Sequence, residues 1–213
     1  MFKMIIIGLS LISFFNSQSS DSNATQVDRN EKNSKEQNDN TSLILPDIEF
    51  KDFDKKRDEA FIKYAFKHDH AWLAEDPAFD IDFMMDNKAP NRDHPEYIGK
   101  LNIKILFVKG KPAGFTTYYM LNFFEGRIDF IYIHPDFRNK GFGEKLTSYD
   151  IDQLFKMDAY IIRMSTRVDN APAIKIYRRI GFIESSRNDK FIDYTIKNNN
   201  PDFFSNWGQN KAT

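Results

Sequence analysis

The chain has 213 residues, with 30 Lys and Arg against 31 Asp and Glu, and a formal net charge of −1, which excludes a nucleic-acid binder working through bulk positive charge. Hydrophobic residues make up 41% and aromatics 15%, with only 9 Gly and 8 Pro, so neither a collagen-like nor a wholly disordered chain fits. Cysteine is absent, which removes disulfide scaffolds, thiolate zinc sites, Cys nucleophiles and lipid attachment through Cys.

Residues 1–19 carry Lys3, an apolar run from Met4 to Phe15, and small residues at Ser17 and Ser19. This pattern is that of a secretory signal peptide cut after Ser19, with an uncleaved anchor or a chance apolar start as the alternatives. The run falls short of the roughly 20 residues a membrane-spanning helix needs, so membrane contact is expected only transiently through the leader or through an uncleaved anchor. A functional leader implies export; without one the protein is tethered or cytoplasmic. Residues 20–45 are Ser, Asn, Asp, Gln, Glu and Lys with few apolar groups, which reads as a disordered polar linker. One folded domain is expected over residues 46–198, followed by a tail over 199–213 whose Phe203, Phe204 and Trp207 are expected to dock back on it.

Within the domain, Phe61, Tyr64, Ala65, His68 and Trp72 recur three or four apart, predicting an amphipathic helix over 56–74 with that set as its apolar face. A short helix is predicted over Ile81–Asp86, its Met84-Met85 pair in the core, before the loop containing Pro90 and Pro95. Alternation over 103–108, the turn Lys109-Gly110-Lys111, a strand over 115–123, a turn at Glu125-Gly126 and a strand over 128–134 predict an antiparallel meander of three strands. The period then changes. Phe142, Leu146, Tyr149 and Leu154 mark a helix, Tyr160 to Ser165 a strand in parallel pairing, and Ala173, Ile176, Tyr177 and Ile180 a second helix capped by Asn170 and stopped by Gly181. Two closing strands are predicted near Phe182 and over 191–196, giving a mixed α+β layer fold.

The segment Arg138-Asn139-Lys140-Gly141-Phe142-Gly143 lies between a strand and a helix. Its two glycines let the backbone turn and approach a ligand, and helix-start N–H groups favour phosphate oxygens. Alone, such a loop is also what any glycine-containing strand-to-helix turn looks like.

In context it resembles the cofactor loop of the GNAT acetyltransferase superfamily, Arg/Gln-x-x-Gly-x-Gly/Ala, after a strand ending in a Pro-containing turn, here Ile131-Tyr132-Ile133-His134-Pro135. Asn170, Ala173, Tyr177, Gly181 and Phe182 match a second spacing of that family. The resemblance spans about residues 50–196 and implies a GNAT-like fold: a central twisted, mostly antiparallel sheet, helices on both faces, and a splayed parallel strand pair that binds CoA.

The resemblance further implies acetyl-CoA as co-substrate and an amine acceptor, a small molecule or a protein, which attacks the thioester directly in a ternary complex, without metal or covalent enzyme intermediate. Arg138, Asn139, Lys140, Gly141, Phe142 and Gly143 would hold the pyrophosphate, and Ile131, Tyr132 and Ile133 would pair with pantetheine. Asn170 and Ala173 would place the helix that brings Tyr177 to the thioester as the acid protonating the leaving thiolate. Asp129 is the candidate base through water, expected by strand alternation on the face of Ile131 and Ile133; Glu125 is the reserve, and the N–H of Ile133 a candidate oxyanion donor. The competing reading is an exported or membrane-tethered, non-catalytic module of the same fold. His68 and His70 read as helix-surface histidines rather than metal ligands, and His134 as local packing.

Overall fold

The computed structural model describes residues 47–74, 78–89, 100–200 and residue 203. The leader and linker expected over residues 1–45 lie outside these, as do Phe204 and Trp207; Phe203 is buried against Tyr160, ring centroids 5.2 Å apart.

Seven strands form one sheet in the order β1-β2-β3-β4-β5-β7-β6. They are β1 (Ile48–Asp52), β2 (Asn102–Val108), β3 (Lys111–Met120), β4 (Glu125–Ile133), β5 (Ile161–Arg167), β6 (Ile183–Arg187) and β7 (Phe191–Lys197). Every neighbouring pair is antiparallel except β4 and β5. Helices α1 (Lys55–Leu73) and α2 (Ile81–Met85) cover one face, and α3 (Phe142–Lys156) and α4 (Ala171–Ile180) the other. The expected mixed α+β fold, mostly antiparallel with helices on both faces, is the observed one.

Burial follows these two layers. On one face Ile62 and Phe66 of α1 and Met84 and Met85 of α2 pack on Ile103, Ile105, Phe115, Phe130 and Tyr132. On the other, Leu154 and Tyr177 pack with Ile128, Ile162, Met164, Ile192 and Tyr194, while Phe142 and Leu146 meet Leu106, Val108 and Ala113. β2 therefore buries both of its faces, which is why its sequence is nearly continuous in apolar residues.

Two expectations are corrected, one strand was not foreseen, and the strand expected near Phe182 is placed more finely. The first strand, β1, was not expected from the sequence, although its Ile48-Glu49-Phe50-Lys51 alternates, and it pairs along β2 from Ile48↔Val108 to Asp52↔Lys104. The buried stripe of α1 is Asp58, Ile62, Ala65 and Phe66, whereas Tyr64, His68 and Trp72 are exposed. Aromatic residues there occupy the solvent side, and they misled the periodicity. The turn before β4 spans residues 121–124, not Glu125-Gly126, because the Asn122 side-chain oxygen accepts from the N–H groups of Phe124 (3.1 Å) and Glu125 (3.0 Å). Gly126 lies inside β4, where a Cβ would stand 2.8 Å from Leu154 Cδ2. Finally, Phe182 is a core residue and β6 begins one position later.

Helix starts obey local chemistry. Asp54 caps α1 by accepting from the Arg57 N–H (3.0 Å), while its own N–H donates to Asp58 Oδ2 (2.9 Å). α1 kinks at Asp69, whose φ of −123° and ψ of 26° leave the helical region.

Candidate active site

The parallel ladder between β4 and β5 covers only Glu125↔Ile161, Gly126↔Ile162 and Arg127↔Arg163, after which the strands separate. The cause lies in β4. Its register with β3 jumps from Tyr118↔Ile128 to Thr117↔Phe130, so Asp129 is the extra residue of a β-bulge. Beyond the bulge the backbone of Phe130, Tyr132 and His134 turns toward β3. The Phe130 N–H donates to Thr117 Oγ1 (3.1 Å) and the His134 N–H to the Ala113 oxygen (2.9 Å), and a Cβ on Gly114 would lie 2.4 Å from the Tyr132 oxygen. Strand alternation then aims the main-chain groups of Ile131 and Ile133 into the gap facing β5. The Ile133 oxygen accepts from Arg138 Nε (2.9 Å).

The gap opens onto the loop at the start of α3. A 3-10 turn, Pro135–Phe137, leads into Arg138, Asn139 has φ 61° and Gly141 φ 79°. Gly141 is the N-cap of α3 and lends no side chain to it, and a Cβ added there would meet nothing within 4 Å. The N–H groups of Asn139, Lys140, Gly141, Phe142, Gly143 and Glu144 make no hydrogen bond to a described residue. This is a row of free donors at a positive helix end, with open space in front of the glycine: the chemistry of an anion site. Gly143 has a different reason to be glycine, since its Cβ would press on Ile176 Cδ1 of α4 at 3.3 Å. The charges beside the loop are already engaged: Arg138 Nη2 bonds Asp69 Oδ2 of α1 (2.9 Å), and Lys140 Nζ donates to the Asp136 oxygen (2.7 Å).

Tyr177 sits on α4, buried edge-on against Tyr194 (5.8 Å) and Phe182 (6.0 Å), in the cluster that includes Ile128 and the partly buried Ile131 beside the gap. Burial first, and then the nearby Asp150 and Tyr194, push its phenol well above the ordinary range, so it stays protonated at neutral pH. Its helix is fixed by Asn170, whose Oδ1 accepts from the Ala173 N–H (3.4 Å) and whose Nδ2 donates to Thr166 Oγ1 of β5 (3.0 Å). Ala173 packs against the same cluster.

The placement of Asp129 differs from expectation. Gly126 and Ile128 face Leu154 of α3, Phe130 and Tyr132 face α1, and Ile131 and Ile133 face α3 and α4 again, so alternation skips at Asp129. Its carboxylate accepts from Arg127 Nε (3.0 Å), on the sheet face opposite the side chains of Ile131 and Ile133. Glu125 is held at the closed end of the gap by Arg163 (2.7 Å) and Asn122 (3.2 Å). His68 stacks on Tyr64 (4.0 Å) with Nδ1 2.8 Å from the Tyr64 oxygen, and His134 stacks between Phe61 and Tyr64. Among the described residues no three His, Asp or Glu gather as a metal site.

Sequence reasoning missed three participants: Asp69, Arg127 and Asp150. The first reaches Arg138 only because α1 kinks, and the second meets Asp129 only because β4 bulges. Asp150 did leave a signal, as a carboxylate in the apolar stripe Phe142, Leu146, Asp150, Leu154.

Comparison with known proteins agrees with this geometry. Residues 51–182 match the model of the Acetyltransferase (GNAT) family. An uncharacterized N-acetyltransferase of Methanocaldococcus jannaschii is 35% identical over 83 residues, covering 36% of this chain and 37% of that relative. The match thus spans little more than a third of the relative's length. Among solved structures, spermidine N-acetyltransferase of Vibrio cholerae, in complex with CoA and spermine, superimposes with a TM-score of 0.57 at 17% identity, over 70% of this chain and 95% of that one. Ard1 of Thermoplasma volcanium gives 0.55 at 18%, over 70% and 97%. YncA of Salmonella typhimurium, solved with its cofactor acetyl-CoA, gives 0.55 at 16%, over 72% and 96%.

Proposed function

The chain belongs to the acetyltransferase (GNAT) family, and from that premise we propose that it moves an acetyl group from acetyl-CoA to a primary amine by direct attack, with both substrates bound together. The observation that carries this reading is continuity. The main-chain groups of Ile131 and the N–H of Ile133, past the end of the β4–β5 ladder, run along the gap into the free N–H groups of the loop from Asn139 to Glu144, one track for an extended amide-bearing arm that ends in phosphates. The cofactor solved with related folds, CoA or acetyl-CoA, has that shape.

On this reading the two sheet faces divide the chemistry. The acceptor approaches from the α1 face, where Asp129 stands on Arg127, and Tyr177 waits on the α3–α4 face. Asp129, through a water, takes the proton that the attacking amine must lose, since an alkylamine with a pKa near 10 is otherwise charged. The Ile133 N–H steadies the developing oxyanion, and Tyr177 gives its proton to the thiolate sulfur as the carbon–sulfur bond breaks. An amide and CoA result.

The test is thermal unfolding of the full chain with acetyl-CoA, with ATP as the control for any nucleotide phosphate. A ligand at 100 times its Kd adds about 2.7 kcal/mol to the native state, a clear rise in Tm. A rise with acetyl-CoA alone is expected; no rise, or equal rises with both, overturns the assignment.

A further inference from the structure

Asp150 occupies the third place in the stripe by which α3 packs on the sheet, and it has no exposed surface. Its Oδ2 is hydrogen-bonded to Thr116 Oγ1, and the same hydroxyl lies 2.9 Å from the main-chain oxygen of Phe130. A threonine hydroxyl has one hydrogen to give. If Asp150 were ionised, two acceptors would compete for it, and the loser would face a lone pair at hydrogen-bond distance. With a proton on the carboxyl every contact is satisfied: Asp150 O–H donates to Thr116 Oγ1, and Thr116 donates to the Phe130 oxygen.

The surroundings agree. The titratable groups beside Asp150 are the phenols Tyr118 from β3, Tyr177 from α4, Tyr149 next to it on α3 and Tyr194 of β7 in the same cluster, while Lys104, which stands opposite Thr116 on β2, donates instead to Asp52 Oδ1 (2.6 Å). Asp150 Oδ1 and Tyr194 Oη are buried without a partner among the described residues, and no described cation forms an ion pair with Asp150. Burial in such a place raises a carboxyl well above its usual range, with only the Thr116 hydrogen bond opposing.

Phe130 is the residue immediately after the bulge. Both of its main-chain groups are met by β3 side chains, the N–H by Thr117 and the oxygen by Thr116. We propose that Asp150 keeps its proton in the folded protein and, through Thr116, acts as a positioning residue that holds β4 at its bulge, so that Ile131 and Ile133 aim their main-chain groups into the gap. The positioning role rests on the gap being the acetyl-CoA site; the proton assignment does not.

Infrared spectroscopy of the full chain at neutral pH tests the proton. The wild type is expected to show a carboxylic-acid carbonyl stretch, sensitive to deuteration, that Asp150→Asn lacks; a wild type without that band overturns the assignment. Acetyl-CoA affinity tests the positioning. Asp150→Asn keeps a donor toward Thr116 and is expected to bind within about threefold of wild type, whereas Thr116→Val, which cuts the chain at nearly constant volume, is expected to bind about tenfold more weakly. Equal affinity in all three overturns the positioning role. Failure of the wild type to bind overturns the cofactor reading and the positioning role with it, while the infrared band still decides the proton.

Discussion

Tyr177 and Asp129 stand on opposite faces of one sheet, at the place where β4 and β5 stop pairing. A hydroxyl held protonated by burial suits the departing sulfur, and a carboxylate kept near solvent by an arginine suits the amine. Tyr177→Phe keeps the ring that packs on Tyr194 and Phe182 and removes only the proton. Its kcat for thiol release from acetyl-CoA, with a primary amine as acceptor, is expected to fall about 10²- to 10⁴-fold with acetyl-CoA affinity unchanged. Steady-state kinetics beside a binding isotherm checks this, and an unaltered kcat removes Tyr177 from the chemistry. At this scale much was legible. The glycines of the loop and the spacing from Asn170 to Gly181 mark positions where local chemistry leaves few alternatives. Asp129 was misplaced because a bulge is a property of two strands, and nothing in β4 alone reports that Thr117 will oppose Phe130.

Elements carry the site through their ends. α4 begins at Asn170, which closes the helix with one end of its amide and ties it to β5 with the other. Asn170→Ala loses both bonds at once and is expected to lower stability by about 1–2 kcal/mol in urea unfolding, the usual loss for a cap. A merely cosmetic Asn would leave the transition midpoint where it was. The helix from 142 was readable from its period and the helix from 171 from its period and its Asn170 cap together. α1 was read as a helix with its stripe rotated: Ala65 and Phe61 do pack inward, but the exposed Tyr64, His68 and Trp72 stood in for Ile62 and Phe66. β1 was lost because the partner that defines it, β2, arrives some fifty residues later in the chain.

At the scale of the molecule, the sheet is two sheets joined at one end. Apolar clusters on both faces knit β1 to β4, one cluster unites β5 to β7 with Ile128 and Tyr118, and three residue pairs bridge β4 to β5. A central strand normally protects its amides, yet those of Ile131, Ile133 and the loop from Asn139 to Glu144 are open. Hydrogen exchange is therefore expected to be fast at these positions in the free protein, at Ile131 and Ile133 despite their place in mid-sheet, and to slow on adding acetyl-CoA; protection already present in the free protein would contradict the open ladder. No local pattern announces this, because splaying follows from a bulge that exists only where β4 meets β3. The kinked end of α1 completes the picture. Past Asp69 it reaches β4's exit through the bond to Arg138, and β5's exit through Trp72, whose ring lies 5.3 Å beneath the Arg167 guanidinium. One helical turn thus spans the two lips of the opening, so any widening of the slot has to stretch or break one of these two contacts.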